Sequence, residues 1–229
     1  MRSIIKRALP AQPCVLCGQM SHAGLWCEDC ERALPYLHGL VCAGCALPIP
    51  SGTHCGLCLS HPHRFTRCTA LCAYTFPWDK LIQQLKFGAN LALADAFAIK
   101  LSERIDKSRL PDLVIAMPLH PNRLSERGYN QSVLLAQELA LACGVAFFPQ
   151  ACRRVRDTAA QSSLAYKHRR KNMRNAFVCD IDLSGKRIAL VDDVLTSGAS
   201  LDALAEAVIK RGALEVEAWV VARTVRNAG

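Results

Sequence analysis

Eight cysteines obey one rule, and that rule constrains this chain more than any other feature. They read Cys14-x2-Cys17-x9-Cys27-x2-Cys30, then Cys42-x2-Cys45-x9-Cys55-x2-Cys58. Each cysteine of the second set follows its counterpart by 28 residues. Two intervening residues let a tight turn bring both thiolates to one tetrahedral ion, and two such knuckles complete a four-cysteine zinc site. The pattern predicts two structural Zn2+ ions, each with its positions filled by thiolate. Spacing leaves two pairings open. In the sequential one, Cys14, Cys17, Cys27 and Cys30 hold one ion, and Cys42, Cys45, Cys55 and Cys58 the other. In the crossed one, the first knuckles of the two repeats share an ion. Gly18, Gly44 and Gly56 lie in or beside the knuckles, where backbone freedom helps a turn. His54, His61, His63, Cys68 and Cys72 are surplus and read as packing or surface residues. A disulfide framework fits less well, because the CxxC pairing suits a metal.

Composition then divides the chain. Ten of the 13 cysteines precede Ala73, and long apolar periodicities follow it. The division expected is residues 1–72 as a double zinc-knuckle domain and residues 73–229 as an α/β domain. A hydrophobic content of 51% with 21% charged residues excludes a disordered chain. No apolar run approaches the ~20 residues that cross a bilayer. The longest, from Val133 to Phe148, is broken by Gln137, Glu138 and Gly144. The basic start, MRSIIKRALPAQPC, has no long apolar core and does not read as a secretory signal. A soluble, cytoplasmic chain is the expectation.

The second part reads as strands alternating with helices. Asp112–Met117, Val145–Phe148, Arg187–Val191 and Glu215–Ala222 are apolar runs suited to buried parallel strands. Ser132–Cys143 and Leu201–Arg211 carry helical periodicity and stop at Gly144 and Gly212. Trp78–Phe87 and Leu91–Ile105 read as two further helices near the sheet edge. The alternation predicts a parallel sheet with right-handed crossovers.

The most informative stretch is Ile188-Ala-Leu-Val-Asp-Asp-Val-Leu-Thr-Ser-Gly-Ala-Ser200. An apolar strand runs into Asp192 and Asp193, and Thr196-Ser197-Gly198-Ala199-Ser200 then opens a helix. Ligands of open α/β sheets sit at the carboxyl ends of strands. A helix start offers free N–H groups and the positive end of a dipole, Gly198 allows close approach, and three hydroxyls add donors. Such a loop cradles phosphate. Two carboxylates beside it suit sugar hydroxyls or a Mg2+ shared with the ligand. The ligand described is a sugar with a phosphate at one end.

VDDVLTSGAS resembles the phosphoribosyl pyrophosphate (PRPP) signature of type I phosphoribosyltransferases. MPLHPNRLSERGYNQ, the later Gln161-x2-Leu164 and the Arg169-x2-Asn172 stretch resemble the ComF family, and the cysteine-rich front end agrees. The resemblance implies a type I phosphoribosyltransferase-like fold binding PRPP with Mg2+. Asp192 and Asp193 would hold the ribose hydroxyls, directly or through Mg2+. Thr196, Ser197, Gly198, Ala199 and Ser200 would bind the 5′-phosphate. Pro118, Leu119 and His120 would form the pyrophosphate loop, with Arg123 and Arg127 neutralising diphosphate charge. Ser197 and Ser200 stand where threonine is usual in the family and leave the cradle intact. Lys86-Phe87-Gly88 resembles a family block without a derived role.

The family implies a protein of competence or DNA utilization, acting on internalised DNA or its nucleotides. Two classes follow: a phosphoribosyltransferase of undefined acceptor, or a PRPP-responsive adaptor for single-stranded DNA or a DNA-uptake protein. Charge bears on the second. The chain carries +9, and residues 151–175 supply +7 of it, eight Lys/Arg against Asp157. That segment suits a flap over diphosphate or a track for nucleic-acid phosphates. Tyr166 is its one aromatic, so base stacking there would be thin. Cys143, Cys152 and Cys179 read as buried residues.

Overall fold

The computed structural model describes residues 11–22, 24–157 and 173–225. The readings on Gln161, Leu164, Tyr166, Lys167, Arg169, Arg170, Lys171 and Asn172 lie outside the described residues.

The front end is built by its knuckles rather than by long elements. Strands β1 (Gln12–Pro13) and β2 (Met20–Ser21) pair antiparallel. Helices α1 (Glu28–Ala33) and α2 (Gly56–Ser60) are short, and each starts on a site cysteine, Cys27 and Cys55, as its N-cap. Strand β3 (Arg67–Ala73) follows, then α3 (Trp78–Phe87) and α4 (Ala92–Ser102). Next come β4 (Leu113–Ala116), α5 (Pro121–Arg127), α6 (Gln131–Cys143), β5 (Ala146–Phe147), β6 (Cys152–Arg154) and β7 (Phe177–Cys179). The chain closes with β8 (Arg187–Leu195), α7 (Ala199–Ile209) and β9 (Glu215–Arg223).

Five strands form one parallel sheet in the order β3-β9-β8-β4-β5. The expected parallel α/β sheet is therefore present. Strand β8 runs four residues past Val191, because β9 continues beside it and pairs Asp192 with Val220 and Leu195 with Arg223. Strand β3 was not foreseen. Its Cys68 and Cys72 are buried and pack as small apolar residues, and it pairs in parallel with β9 from Arg67 to Ala73. The division expected between residues 72 and 73 falls inside this strand. β6 and β7 form a separate antiparallel pair.

The strand period of two sorts the core onto two faces. Ile188 and Leu190 of β8, with Val216, Ala218 and Val220 of β9, pack toward α7. Ala189 and Val191, with Trp219 and Val221, pack toward α3, α4 and α6. The two cysteine units divide between the same cores. Cys14, Trp26 and Leu34 join the α3–α4–α6 side, while Cys42, Cys45, Cys58 and Phe65 join the α7 side.

Candidate functional site

The cysteines pair sequentially. Within each set of four, the sulfurs lie within 4.8 Å of one another. Cys17 and Cys27 Sγ are 3.8 Å apart, and Cys45 and Cys55 Sγ 3.7 Å. Tetrahedral zinc with Zn–S of about 2.3 Å requires edges of about 3.8 Å, so both donor sets fit the ion. Backbone amides support the thiolates: Cys27 N–H donates to Cys14 Sγ at 3.4 Å, and Cys55 N–H to Cys42 Sγ at 3.2 Å. Burial opposes ionisation, yet backbone N–H donors hold Cys14 down to about 6 and Cys42 down to about 7. Of the three knuckle glycines, Gly18 uses left-handed backbone, at φ 77°; Gly44 and Gly56 do not.

The paired acids stand at the carboxyl end of β8, and they differ. Asp193 is buried and fixed from two sides. Lys86, at the end of α3, places Nζ 2.8 Å from Oδ1, and Gln131 Nε2 donates to Oδ2 at 2.7 Å. Burial lowers the Lys86 ammonium's affinity for its proton, but the Asp193 charge and hydrogen bond more than reverse this and raise its pKa. Asp192 accepts at Oδ1 from Ser132 Oγ at 3.1 Å and from Asp193 N–H at 2.9 Å. Its Oδ2 takes no hydrogen bond from the described residues. Burial and the neighbouring Asp193 charge push Asp192 up to about 7, against the pull of Lys86. Such a carboxylate gains from a hydroxyl donor or a cation.

The turn after β8 reaches α7 through Gly198, which holds φ 80° as its N-cap. Thr196 is exposed, Ser197 and Ser200 are partly buried, and Gly198 and Ala199 are buried. Leu201 and Ala205 anchor the helix in the core behind them. The expected pyrophosphate loop emerges beside this turn, because β4 neighbours β8 and Met117 N–H donates to Val191 O at 2.8 Å. Pro118, Leu119 and His120 are partly buried. His120 Nδ1 accepts from Asn122 N–H at 3.3 Å and caps α5, with Asp157 3.6 Å away. Arg127 donates to Gln131 Oε1 at 2.5 Å and lies 5.0 Å over the Phe87 ring. Arg127, Gln131, Asp193 and Lys86 thus form one chain of contacts.

Sequence reasoning gave no individual role to Lys86, Gln131, Ser132 or Arg154, although Lys86 and Gln131 lay in family-like blocks and Arg154 in the basic segment. Gln131 and Ser132 open α6, which Asn130 caps by accepting from Ser132 N–H at 2.9 Å, so the NQS triplet was their available signal. Arg154 of β6 sits among Arg123, Asp157 and Asp192, and burial and the Arg123 charge lower its pKa. A cavity of about 500 Å3 lies on the α3–α5 side, lined by Lys86, Phe87, Arg123, Glu126, Arg127 and Tyr129.

A parallel sheet with acids and a phosphate-type turn at one strand end, fronted by two four-cysteine sites, defines a phosphoribosyltransferase-type fold with zinc ribbons. Residues 4–59 match the double zinc ribbon domain, and residues 127–228 match the phosphoribosyl transferase domain. The chain is 36% identical over 223 residues to the DNA utilization protein YhgH of Salmonella typhi, covering 93% of this chain and 97% of that protein. It is 32% identical over 220 residues to competence protein F of Haemophilus influenzae, covering 86% and 96%. The chain belongs to this ComF family of competence and DNA utilization proteins. A purine phosphoribosyltransferase from Pyrococcus horikoshii matches at 18% identity over 57% of this chain and 83% of that one, with a TM-score of 0.38.

Proposed function

We propose that this ComF-type chain binds PRPP with Mg2+ at the carboxyl end of β8 and acts on internalised DNA or its nucleotides. The observation that carries the reading is Asp192, whose Oδ2 takes no hydrogen bond from the described residues, beside a turn that delivers Gly198 to the start of α7. Asp192 takes the ribose hydroxyls, while Asp193, held by Lys86 and Gln131, sets its position. Thr196 to Ser200 receive the 5′-phosphate. Pro118–His120, Arg123 and Arg127 face the diphosphate, and Arg154 joins them. Mg2+, when bound, adds neutralisation of diphosphate charge. The arrangement also suits transfer, in which diphosphate leaves an oxocarbenium-like sugar and charge neutralisation outweighs any nucleophilic side chain. The DNA role is supported by the names of the relatives. A cytoplasmic setting is supported by cysteines arranged as metal-binding thiolate sets rather than as disulfides. Among the described residues no helix is long and apolar enough to cross a membrane.

The test is equilibrium dialysis of labelled PRPP in Mg2+ against the zinc-loaded chain and Asp192→Asn. Loss of a charge-assisted contact predicts affinity weaker by roughly tenfold or more with the fold intact. An Asp192→Asn variant that binds PRPP normally would place the site elsewhere.

A further inference from the structure

Arg223 joins the second cysteine site to the phosphate turn, and partly buried His63, just past that site in the chain, braces the helix that follows the turn. Arg223, the last residue of β9, is 7% exposed. Its Nε donates to the carbonyl of Cys45, a ligand of the second site, at 2.9 Å. Its Nη1 donates to Leu195 O at 2.8 Å and to Thr196 O, the two residues that enter the turn. It makes no ion pair among the described residues. A buried guanidinium without a carboxylate is costly unless other anions answer its charge. One answer lies on each side. Zinc with four thiolates carries a net −2 (+2 from the ion, −4 from sulfur), and the turn takes the ligand's phosphate.

The second connection starts five residues after Cys58. His63 Nδ1 lies 3.0 Å from Asp202 Oδ2, and Arg64 N–H donates to Asp202 Oδ1 at 2.7 Å. Asp202 is buried in the first turn of α7, and its own N–H donates to Gly198 O at 2.8 Å. The His63 ring stacks on Phe65 with centroids 4.5 Å apart and closes over Gly198. A Cβ at Gly198 would come within 2.3 Å of His63 Cε1. Gly198 therefore answers two needs, the left-handed φ and the space the ring fills. The first cysteine site is tied elsewhere: Glu31 of α1 pairs with Lys100 of α4 at 2.6 Å and accepts from Tyr36 at 2.9 Å.

We propose that the second cysteine site and the phosphate turn form one mechanical unit, with Arg223 and His63 as positioning residues that hold the turn in its anion-binding shape. The ligand assignment rests on the PRPP reading; the coupling does not.

The experiment compares zinc-loaded full-length protein with Arg223→Lys, His63→Ala, His63→Asn and Glu31→Gln. Amide hydrogen exchange over residues 195–202 is read without ligand, and PRPP affinity and zinc content are read alongside. Lysine keeps the charge but loses the fork that reaches the carbonyls of Cys45, Leu195, Thr196 and Thr224. Arg223→Lys and His63→Ala should speed exchange in that segment by roughly tenfold while zinc stays at two per chain. PRPP affinity should weaken in step. His63→Asn, which restores a donor to Asp202, should return both toward wild type, and Glu31→Gln should move neither. Unchanged exchange in both Arg223→Lys and His63→Ala would overturn the proposal whatever PRPP does. Faster exchange in a chain whose wild type takes no PRPP would support the coupling and defeat the PRPP reading.

Discussion

The two cysteine units are near copies in backbone and opposites in setting. Gly18 N–H donates to Cys14 O at 2.9 Å, and Ala46, 28 residues on, donates to Cys42 O at 2.7 Å. Val15 donates to Leu25 O at 2.8 Å, and Ala43 to Thr53 O at 2.9 Å. The surroundings then diverge. The first unit leaves Cys17 exposed and sets Trp26 against Trp78 and Phe97 on the α3–α4 side. The second buries Cys42, Cys45 and Cys58 on the α7 side and is bonded through Arg223 to the phosphate turn, while His63 beyond Cys58 bonds Asp202 of α7. Spacing dictates how a ribbon closes, and its neighbours dictate what its closure serves.

The largest effect should separate the units outright. Structural zinc sites carry roughly 10–16 kcal/mol of apparent binding energy, so losing one ligand set unfolds its ribbon. Cys17→Ser and Cys42→Ser should each lower zinc from two per chain to one by metal analysis. Cys42→Ser should also cost PRPP binding far more than Cys17→Ser does. Equal losses would erase the distinction.

Next in size is Lys86→Met. It leaves Asp193 buried without its cation, and breaking such a pair costs roughly 3–5 kcal/mol. A urea melt should show the midpoint fall while zinc content holds. An unchanged midpoint would mean Gln131 alone suffices for Asp193.

Asp192→Asn should act in the opposite direction on stability. Burial and the Asp193 charge push the folded carboxyl up to about 7, against 3.8 for the ordinary group. Between those values the folded chain holds a proton that the unfolded chain has released, so stability falls as pH rises through that window. Removing the titration should raise Tm above pH 7 by several degrees, at most the roughly 4 kcal/mol that a rise from 3.8 to about 7 represents, and by little near pH 4. A Tm difference that does not vary with pH would contradict the burial and like-charge repulsion that push Asp192 up.

The smallest effect probes the repeat itself. Ala46 holds φ 55° where its counterpart Gly18 holds 77°. Left-handed backbone costs a residue with a Cβ about 1–2 kcal/mol, while the Ala46 methyl is buried and lost on substitution. Ala46→Gly should therefore shift Tm by no more than a few degrees, roughly 1 kcal/mol. A large loss would show that the methyl matters more than the turn.

Much of this was legible because it is local. The 28-residue offset, the apolar strand running into Asp192 and Asp193, and the helix Trp78–Phe87 are short-range patterns. What stayed hidden depends on partners far apart in sequence. Cys68 and Cys72 read as surplus cysteines until β9 supplied a strand to pair with. Lys86 had no derived role until α3 brought it to Asp193. His63 read as a packing or surface residue until α7 presented Asp202, and Arg223 drew no notice as the end of an apolar strand. Arg153, Arg154 and Arg156 read as part of a charge run. The fold singles out Arg154 beside Arg123, while Arg153 pairs with Asp180.

The most direct test is calorimetric titration of the zinc-loaded chain with PRPP in Mg2+, with ribose 5-phosphate and diphosphate titrated separately. The expected result is PRPP binding in the micromolar range, roughly −8 kcal/mol, with each fragment weaker by tenfold or more. No heat from PRPP, or diphosphate alone binding as tightly as PRPP, would contradict a site built from the strand-end acids and the phosphate turn.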